Sequence, residues 1–461
     1  MSEPATGANA TTDPAPGDTP GRSRRAHLET PRHSTILTVV ALAITTGLWI
    51  AAHQDHILDP RFWPWRALSQ ITILWTVTLM PIAMLAVVRA NALEPIFGGL
   101  DRAVHLHRVI GPAAVLLLVA HAIFLALMAA GEGTPVGAML VPFWTPNARS
   151  IDILVFYGIV ALALLAYDTR LKYEWWLFLH RFIGLLLIGG TIHAATEPGT
   201  IDAYEPLRTW VVLLIVVGAG AWLYRIFLFN RFGPLYRYRL SEAATHSDQY
   251  VDLVMRPVDR RMMYEPGTFV FVRVPSLVRH RTELHPFSIS SSPVERDLRV
   301  SVRLVGDFTR QLPALGPGTD IDVYGPFGGF TPQRFASYRR LVLIGAGIGI
   351  TPFLGMLAFE LSNHDFRRIW LYYVARKEDD AVYDKEIRDS YLDADSYIDY
   401  QLWLTGRDGR ITAKSVNDAV ALDDYAVMLC GPRHFVTDLA RQFRALGLPS
   451  SRIITEELQF R

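Results

Sequence analysis

Six apolar blocks between residues 34 and 229 constrain this sequence more than any other feature. Each block is long enough, or nearly so, to cross a hydrocarbon core about 30 Å thick. They predict a membrane α-helical bundle of six transmembrane helices, with both ends of the bundle on the same side. The predicted spans are residues 34–52, 67–88, 106–130, 151–167, 176–195 and 207–229.

The charges that flank these blocks predict an orientation. The loops and flanks on one side carry four Lys and Arg residues, and those on the other side carry thirteen. Because Lys and Arg accumulate in cytoplasmic loops, both termini are expected to face the cytoplasm. Residues 1–30 are rich in Pro, Gly, Ala and Thr and are expected to form a disordered tail. A long signal anchor is the alternative for this segment.

Composition excludes several classes of protein. The net charge of +1 gives no electrostatic case for binding nucleic acid. The only cysteine is Cys430, which excludes intramolecular disulfides. It also excludes an iron–sulfur cluster or zinc site held by several thiolates.

Beyond Phe229 the sequence changes to that of a soluble α/β protein. Residues 235–335 contain short alternating runs such as FVFVRV and LRVSVRLV, which predict an antiparallel β-barrel. From residue 340 to residue 461, the apolar strands in RLVLIGAG, IWLYYVAR and YAVMLCGP alternate with helical stretches. That alternation predicts an α/β domain with a parallel sheet.

Four histidines lie in the third and fifth apolar blocks, whose helices would cross the membrane in the same direction. His107 and His121 are fourteen residues apart, and His180 and His193 are thirteen apart. Each helix therefore carries histidines at two levels about 20 Å apart. Neutral imidazole ligates haem iron, so His107 with His180 and His121 with His193 are predicted to bind two haems. Single membrane histidines can instead be packing or hydrogen-bonding residues, and His105 is a rival to His107.

Two motifs in the first soluble region indicate a flavin. The stretch HPFSISSSP at 285–293 supplies an aromatic ring for stacking on a flavin, with a hydroxyl and backbone amides beside it. An ordinary strand end is the alternative. In VRLVGDFTRQL, a glycine and a threonine begin a helix whose amino end can receive a pyrophosphate. The predicted FAD-binding residues are His285, Pro286, Phe287, Ser288, Gly306 and Thr309.

The stretch LVLIGAGIGITPFLGML at 341–357 predicts a strand, a glycine-rich turn and the start of a helix. Its pattern is G-x-G-x-G-x-T-P, which differs from the dinucleotide pattern G-x-G-x-x-G. A plain glycine turn is the alternative. Arg376 could meet a ribose 2′-phosphate or be a solvated charge, and Cys430 could face the cleft or be a buried structural thiol. The predicted nucleotide-binding residues are Gly345, Gly347, Gly349, Arg376, Cys430, Gly431 and Pro432.

Together with GPFG at 325–328 and the final EELQFR, these motifs resemble the family of membrane ferric reductases and NADPH oxidases over residues 34–461. The resemblance implies two b-type haems in the helical domain (34–229), FAD in the domain at 235–335 and NADPH, or NADH, in the domain at 340–461. It implies that Thr351 and Pro352 line the nucleotide site and that Phe460 shields the flavin ring. Soluble relatives have Arg-x-Tyr-Ser where His285 and Phe287 stand. The residues expected to act at the reacting rings are Ser288, Cys430 and Phe460.

The function that this organisation predicts is electron transfer across a cell membrane by a multi-pass protein in contact with lipid. Hydride from cytoplasmic NADPH would reduce FAD, and single electrons would pass through the two haems to an extracytoplasmic acceptor. Ferric iron or a ferric chelate is the expected acceptor, and reduction of O2 to superoxide is the alternative. Acids in the outer loops, such as Glu132 and Glu205, could attract iron or be solvated charges. An electron supply for an extracytoplasmic redox partner and a non-enzymatic haem or redox sensor are further possibilities.

Overall fold

The structure of the chain is a computed structural model. It describes residues 33–54, 64–90, 92–144, 149–166, 173–196, 204–277, 284–363, 367–392, 397–420 and 424–457. The tail predicted at 1–30 and the predicted site residue Phe460 lie outside these residues.

Within the described residues of the N-terminal half, six apolar helices coincide with the six apolar blocks. A helix satisfies its own backbone hydrogen bonds, which hydrocarbon cannot do, so runs of Leu, Ile, Val and Ala fold in this way in lipid. Two short helices, α3 and α5, lie between them. The bounds are α1 His33–Ala52, α2 Trp65–Ala86, α3 Glu94–Phe97, α4 Leu100–Gly131, α5 Gly137–Leu140, α6 Arg149–Leu165, α7 Tyr173–Thr196 and α8 Glu205–Leu223.

The last long helix continues beyond α8. It passes through a π-helical turn at Tyr224–Leu228 into the short α9 at Phe229–Phe232. Among the described residues, four helices are long and apolar enough to cross a membrane, namely His33–Ala52, Trp65–Ala86, Arg102–Gly131 and Glu205–Phe232. The apolar stretches of α6 and α7, Ser150–Leu165 and Trp175–Gly190, are shorter.

Close packing and buried hydrogen bonds hold the helices together around α2. Trp210 of α8 donates from Nε1 to the Thr45 hydroxyl of α1 at 2.8 Å, and that hydroxyl lies 2.8 Å from the hydroxyl of Thr78 in α2. Gly218 of α8 faces Pro81 of α2, where an added Cβ would lie 3.3 Å from the proline ring. Small residues and hydroxyls at such contacts replace the hydrophobic driving force that is absent between helices in lipid.

The first soluble region is a six-stranded antiparallel sheet in the order β4-β3-β6-β1-β2-β5. Ile289, one residue beyond β4, forms an antiparallel bridge with Val300 of β5, so the two ends of this order meet there. Alternate side chains fill one core, which includes Leu253, Val272 and Val323. The strands are β1 Leu235–Ser247, β2 Tyr250–Pro257, β3 Phe269–Arg273, β4 His285–Ser288, β5 Leu298–Arg303 and β6 Asp320–Phe327.

The second soluble region is a five-stranded parallel sheet in the order β11-β10-β7-β8-β9. Its two faces carry separate apolar cores, one around Phe353 and Leu371 and the other around Val427 and Phe443. The strands predicted from RLVLIGAG, IWLYYVAR and YAVMLCGP are β7, β8 and β10. The elements are β7 Arg340–Ala346, α10 Thr351–Asn363, β8 Arg368–Ala375, α11 Asp384–Tyr391, β9 Ile398–Leu404, α12 Thr405–Asp408, α13 Ala413–Val420, β10 Ala426–Gly431, α14 Arg433–Ala445 and β11 Ile453–Glu457.

An aromatic cluster joins the helical half to the antiparallel sheet. Phe229 of α9 stacks on Tyr324 of β6, with ring centroids 5.6 Å apart, and both side chains are buried. Phe97 of α3 and Phe271 of β3 belong to the same cluster. The guanidinium of Arg89 lies 3.9 Å above the Phe271 ring. This interface holds the sheet against the end of the bundle that carries His107.

Candidate functional site

His107 of α4 and His180 of α7 face each other inside the bundle. Their ring centroids are 5.8 Å apart, with an angle of 80° between the ring planes. Nδ1 of His107 lies 2.9 Å from the Ala83 carbonyl oxygen, so Nδ1–H donates there and the lone pair of the neutral imidazole is on Nε2. Nδ1 of His180 is buried and has no hydrogen-bond partner among the described residues. Trp176 stacks against the His180 ring at 5.1 Å.

His121 lies further along α4. Its Nδ1 is 2.8 Å from the Ser69 carbonyl oxygen and 3.0 Å from the Ser69 hydroxyl, both in α2. His193 belongs to α7, but its side chain lies outside the described residues. His105, the rival to His107, has an exposed side chain.

The imidazoles that the structure describes fit the haem ligation expected from the family resemblance. Histidines that ligate a metal usually donate their other ring N–H to a carbonyl or carboxylate, which fixes the tautomer. His107 and His121 both have Nδ1 beside a backbone carbonyl, which leaves Nε2 as the ring nitrogen that could ligate iron. At the inner level, two helices supply facing imidazoles, and one of them has an unpaired buried nitrogen. At the outer level, the second side chain lies outside the described residues.

The two flavin motifs meet in the antiparallel sheet. The His285 ring of β4 lies parallel to the Phe308 ring of the GDFT motif, with centroids 3.7 Å apart. Burial lowers the pKa of His285 to about 4, so the imidazole is neutral at physiological pH. Its Nε2 has no partner among the described residues. The aromatic character of Phe308 was the available signal, but sequence reasoning named only its neighbours Gly306 and Thr309.

The predicted helix at Gly306 and Thr309 is a six-residue 3₁₀ helix, Thr309–Ala314. Pro313 lies inside it and lacks the N–H that an α-helix would need at that position. The Thr309 hydroxyl accepts hydrogen bonds from the N–H groups of Val305 and Gly306, both at 3.0 Å. These two amides are therefore paired within the loop, and contact with a pyrophosphate would require them to exchange partners.

The serines that follow β4 pack directly against α10 of the second soluble region. Ser288 is buried, and so are the three serines that follow at 290–292. Tyr264 supports this segment with its hydroxyl 2.9 Å from that of Ser291. A Cβ added at Gly355 of α10 would lie 2.5 Å from the Ser291 carbonyl oxygen. Only glycine allows this approach, which brings the start of α10, with Thr351 and Pro352, close to the flavin motif.

The glycine turn connects β7 to α10 at the point where the strand order reverses. In open parallel sheets, ligands bind at this switch point beyond the carboxyl ends of the strands. Gly347 has φ +55, and a Cβ on Gly345 would lie 2.8 Å from the Ile350 Cα. A Cβ on Gly349 would lie 2.7 Å from the Cys430 carbonyl carbon at the end of β10. The backbone of the glycine turn therefore continues into the backbone of Gly431 and Pro432 at the end of β10.

The remaining predicted nucleotide-site residues differ in exposure. Cys430 is fully buried, with Sγ 3.9 Å from a Glu456 carboxylate oxygen. Burial and the Glu456 charge raise the pKa of the thiol, so it stays protonated at neutral pH. Arg376 lies exposed one residue beyond β8, and its carbonyl oxygen accepts from the Gly406 N–H at 3.1 Å. Arg376 therefore lies at the same edge of the sheet as the glycine turn.

Three family profiles match the chain, one after another. Residues 72–191 match the ferric reductase like transmembrane component, residues 235–315 match an FAD-binding domain, and residues 343–441 match an oxidoreductase NAD-binding domain. The chain is a membrane protein with the domains of an NAD(P)H-dependent oxidoreductase. In this order of domains the chain is similar to ferric reductases and NADPH oxidases.

Curated relatives include two NADPH oxidases. NADPH oxidase 1 of Mus musculus is 30% identical over 231 residues, which are 45% of this chain and 37% of the relative. A superoxide-generating NADPH oxidase heavy chain of Dictyostelium discoideum is 27% identical over 255 residues, 48% of this chain and 34% of the relative. The chain thus spans about a third of the length of these relatives.

Matches among solved structures include two proteins with bound FAD. A ferredoxin NADP+ reductase from Neisseria gonorrhoeae matches with a TM-score of 0.43 and 17% identity, covering 49% of this chain and 99% of that one. A flavohemoglobin from Malassezia yamatoensis matches with a TM-score of 0.45 and 19% identity, covering 87% of this chain and 100% of that one.

Proposed function

We propose that the chain transfers electrons from NAD(P)H across a membrane to an acceptor on the far side. The observation that carries the proposal is the facing pair His107 and His180, which lies inside the segment that matches the ferric reductase component. Flavin and nucleotide domains follow in the same chain. A facing pair of membrane imidazoles next to these domains is an arrangement suited to electron transfer.

The topology that we propose has six spans, with both soluble domains in the cytoplasm. The six apolar helices support the number of spans, although α6 and α7 have the shorter apolar stretches. The excess of Lys and Arg on the side that carries the soluble domains supports the orientation. The bridge between Ile289 and Val300 supports closure of the antiparallel sheet into a barrel. The domain boundaries remain those predicted from the sequence.

The soluble half would hold FAD and the nicotinamide nucleotide against each other. FAD, when bound, converts the two electrons of a hydride into single-electron transfers. His285, Phe287, Ser288 and the Gly306–Thr309 loop would contact it. The glycine turn would bind the nucleotide phosphates through backbone N–H groups and the start of α10. We propose that buried Cys430 acts by shaping the cleft, because its protonated thiol is a poor nucleophile.

The helical half would hold two b-type haems. His107 and His180 would ligate the inner haem, and His121 with His193 the outer one. Bound haem provides one-electron relay stations in the bilayer, and the helices keep the ligands in place and exclude water.

Histidine variants test the ligation directly. We expect His180→Ala to lose about half of the haem per protein, measured by pyridine haemochrome, because one of two sites loses a ligand. His105→Ala is the matched control, since its exposed ring lies two residues from His107, and it should keep the full haem content. Full haem content in His180→Ala and in His107→Ala would contradict the ligand assignment.

The first acceptor that we propose is ferric iron or a ferric chelate, as the sequence predicted. The second is O2, and two observations favour it. The two relatives described above are named as NADPH oxidases. Glu132, one of the acids expected to attract iron, forms an ion pair with Arg66 at 2.9 Å.

Reoxidation of the anaerobically reduced protein distinguishes the two acceptors. Faster reoxidation by a ferric chelate than by oxygenated buffer would make the protein a ferric reductase. Faster reoxidation by oxygenated buffer, with formation of superoxide, would make it an oxidase.

A further inference from the structure

A buried carboxylate lies between the flavin and nucleotide domains, outside the binding motifs. Asp252 of β2 is 2% exposed. Its Oδ2 lies 2.9 Å from His246 Nε2 in β1, and its Oδ1 accepts a 2.8 Å hydrogen bond from the Tyr383 hydroxyl. Tyr383 immediately precedes α11 of the nucleotide domain and is fully buried. One carboxylate therefore connects the two domains.

Arg299 of β5 extends this connection. Its NH1 lies 3.6 Å from Asp252, and its NH2 donates to Glu386 of α11 at 2.7 Å. The same NH2 donates at 3.1 Å to the carbonyl oxygen of Ser290, which is two residues beyond the HPFS motif. We call His246, Asp252, Arg299, Tyr383 and Glu386 the interdomain cluster.

The interdomain cluster resists relative movement of the two domains. Any shift of α11 away from the sheet would separate Tyr383 from Asp252 and Glu386 from Arg299. The first separation takes a partner from a buried charge and the second parts two half-buried charges, and the first is much more costly than losing a surface ion pair. The hydrogen bond from the Arg299 side chain to the Ser290 carbonyl oxygen connects the cluster to the segment that follows the flavin motif.

We propose that the interdomain cluster fixes the nucleotide domain in the position that hydride transfer to the flavin requires. The inference rests on the proposed NAD(P)H-to-FAD function. Asp252, Arg299, Tyr383 and Glu386 are positioning residues and do not touch the reacting groups. Hydride transfer is sensitive to small displacements, because a misplacement of about 1 Å can reduce a rate on the order of 100-fold.

The variant Tyr383→Phe tests the proposed positioning role, because it removes a single hydroxyl from the interdomain cluster. The test uses the full-length, FAD-loaded protein and measures anaerobic flavin reduction by saturating NADPH in a stopped-flow instrument. We expect the maximal rate per bound flavin to fall about tenfold or more. The unfolding temperature should also fall, because the buried Asp252 carboxylate loses a hydrogen bond. The matched control is Tyr425→Phe in the same domain, because Tyr425 is also a buried residue and its hydroxyl donates to Asn417 at 2.8 Å. It should keep the wild-type rate.

A second variant separates positioning from folding. Asp252→Asn keeps the shape of the side chain and removes the charge that Arg299 and His246 face. We expect it to slow flavin reduction by NADPH while reduction by dithionite is unchanged. Wild-type rates per bound flavin in both variants, with losses confined to FAD content or unfolding temperature, would overturn the proposal and leave the cluster a purely structural role. Failure of the wild-type protein to reduce its flavin with NADPH would instead refute the proposed function.

Discussion

At the scale of single residues, the hydrogen bonds of the membrane histidines differ between the two levels. Among the described residues, Nδ1 of His107 lies beside the Ala83 carbonyl, whereas Nδ1 of His121 lies beside both the carbonyl and the hydroxyl of Ser69. A second acceptor makes an imidazole a more electron-rich ligand, which favours oxidised iron. The proposed outer site should therefore respond to changes at Ser69, and the inner site should not.

Ser69→Ala removes the hydroxyl and keeps the carbonyl. We expect one of the two haem midpoint potentials to rise by about 20–60 mV, the equivalent of one modest hydrogen bond, with haem content unchanged. A spectroelectrochemical titration measures both potentials. Ser362→Ala, in the nucleotide domain, is the control. Equal shifts of both potentials, or no shift, would show that Ser69 does not act on one site.

His246 makes stability depend on pH. The hydrogen bond to Asp252, and then the charges of Asp252 and Glu386, raise its pKa, while burial and Arg299 oppose this. A raised folded-state pKa stabilises the fold fully below the unfolded pKa of about 6.5. This contribution is lost as pH rises through the higher folded-state pKa. We expect the unfolding temperature of the wild-type protein to fall more than that of His246→Gln between pH 6 and pH 8.5. Parallel curves would contradict this.

At the scale of secondary-structure elements, the glycine turn depends on backbone contact between β7, α10 and β10. Gly349→Ala would place a Cβ against the Cys430 carbonyl, where neither backbone can yield. We expect a loss of about 1–3 kcal/mol in stability and a raised KM for NADPH. Gly316→Ala is the matched control, since nothing lies within 4 Å of its added Cβ. An unchanged KM in Gly349→Ala would show that the turn does not form the nucleotide site.

The interface between β6 and α9 contains the Tyr324 hydroxyl, for which the described residues supply no hydrogen-bond partner. Tyr324 is fully buried against Phe229, and its hydroxyl has no partner among the described residues. Removing an unsatisfied buried polar group is neutral or stabilising. We expect Tyr324→Phe to unfold at the wild-type temperature or slightly above it, measured by release of flavin fluorescence. A loss of more than about 1 kcal/mol would reveal a partner for this hydroxyl.

The elements differ in how far sequence could predict them. The apolar blocks coincide with helices because a chain in lipid has few other ways to pair its backbone. The motif strands β7, β8 and β10 are continuous apolar runs, which parallel sheets require. The interdomain cluster escaped prediction, since Asp252 and Tyr383 lie 131 residues apart in sequence and look like ordinary polar residues. The stacking of His285 on Phe308 also depends on tertiary packing.

At the scale of the whole molecule, the helical bundle contacts the antiparallel sheet, and that sheet contacts the nucleotide domain. The aromatic cluster around Phe229 and Tyr324 joins the helices to the antiparallel sheet, and the interdomain cluster joins that sheet to the nucleotide domain. Both interfaces are buried. The proposed electron transfer therefore depends on relative positions of domains that these two interfaces maintain.

The measurement that tests the central claim most directly follows the haem absorbance of the purified, FAD-loaded protein after anaerobic addition of NADPH. We predict that the flavin is reduced first and that the haem bands then change to those of reduced b-type haem. His180→Ala should reduce its flavin at the wild-type rate and show a smaller haem change. Complete flavin reduction with unchanged haem bands in the wild-type protein would contradict transmembrane electron transfer by this chain.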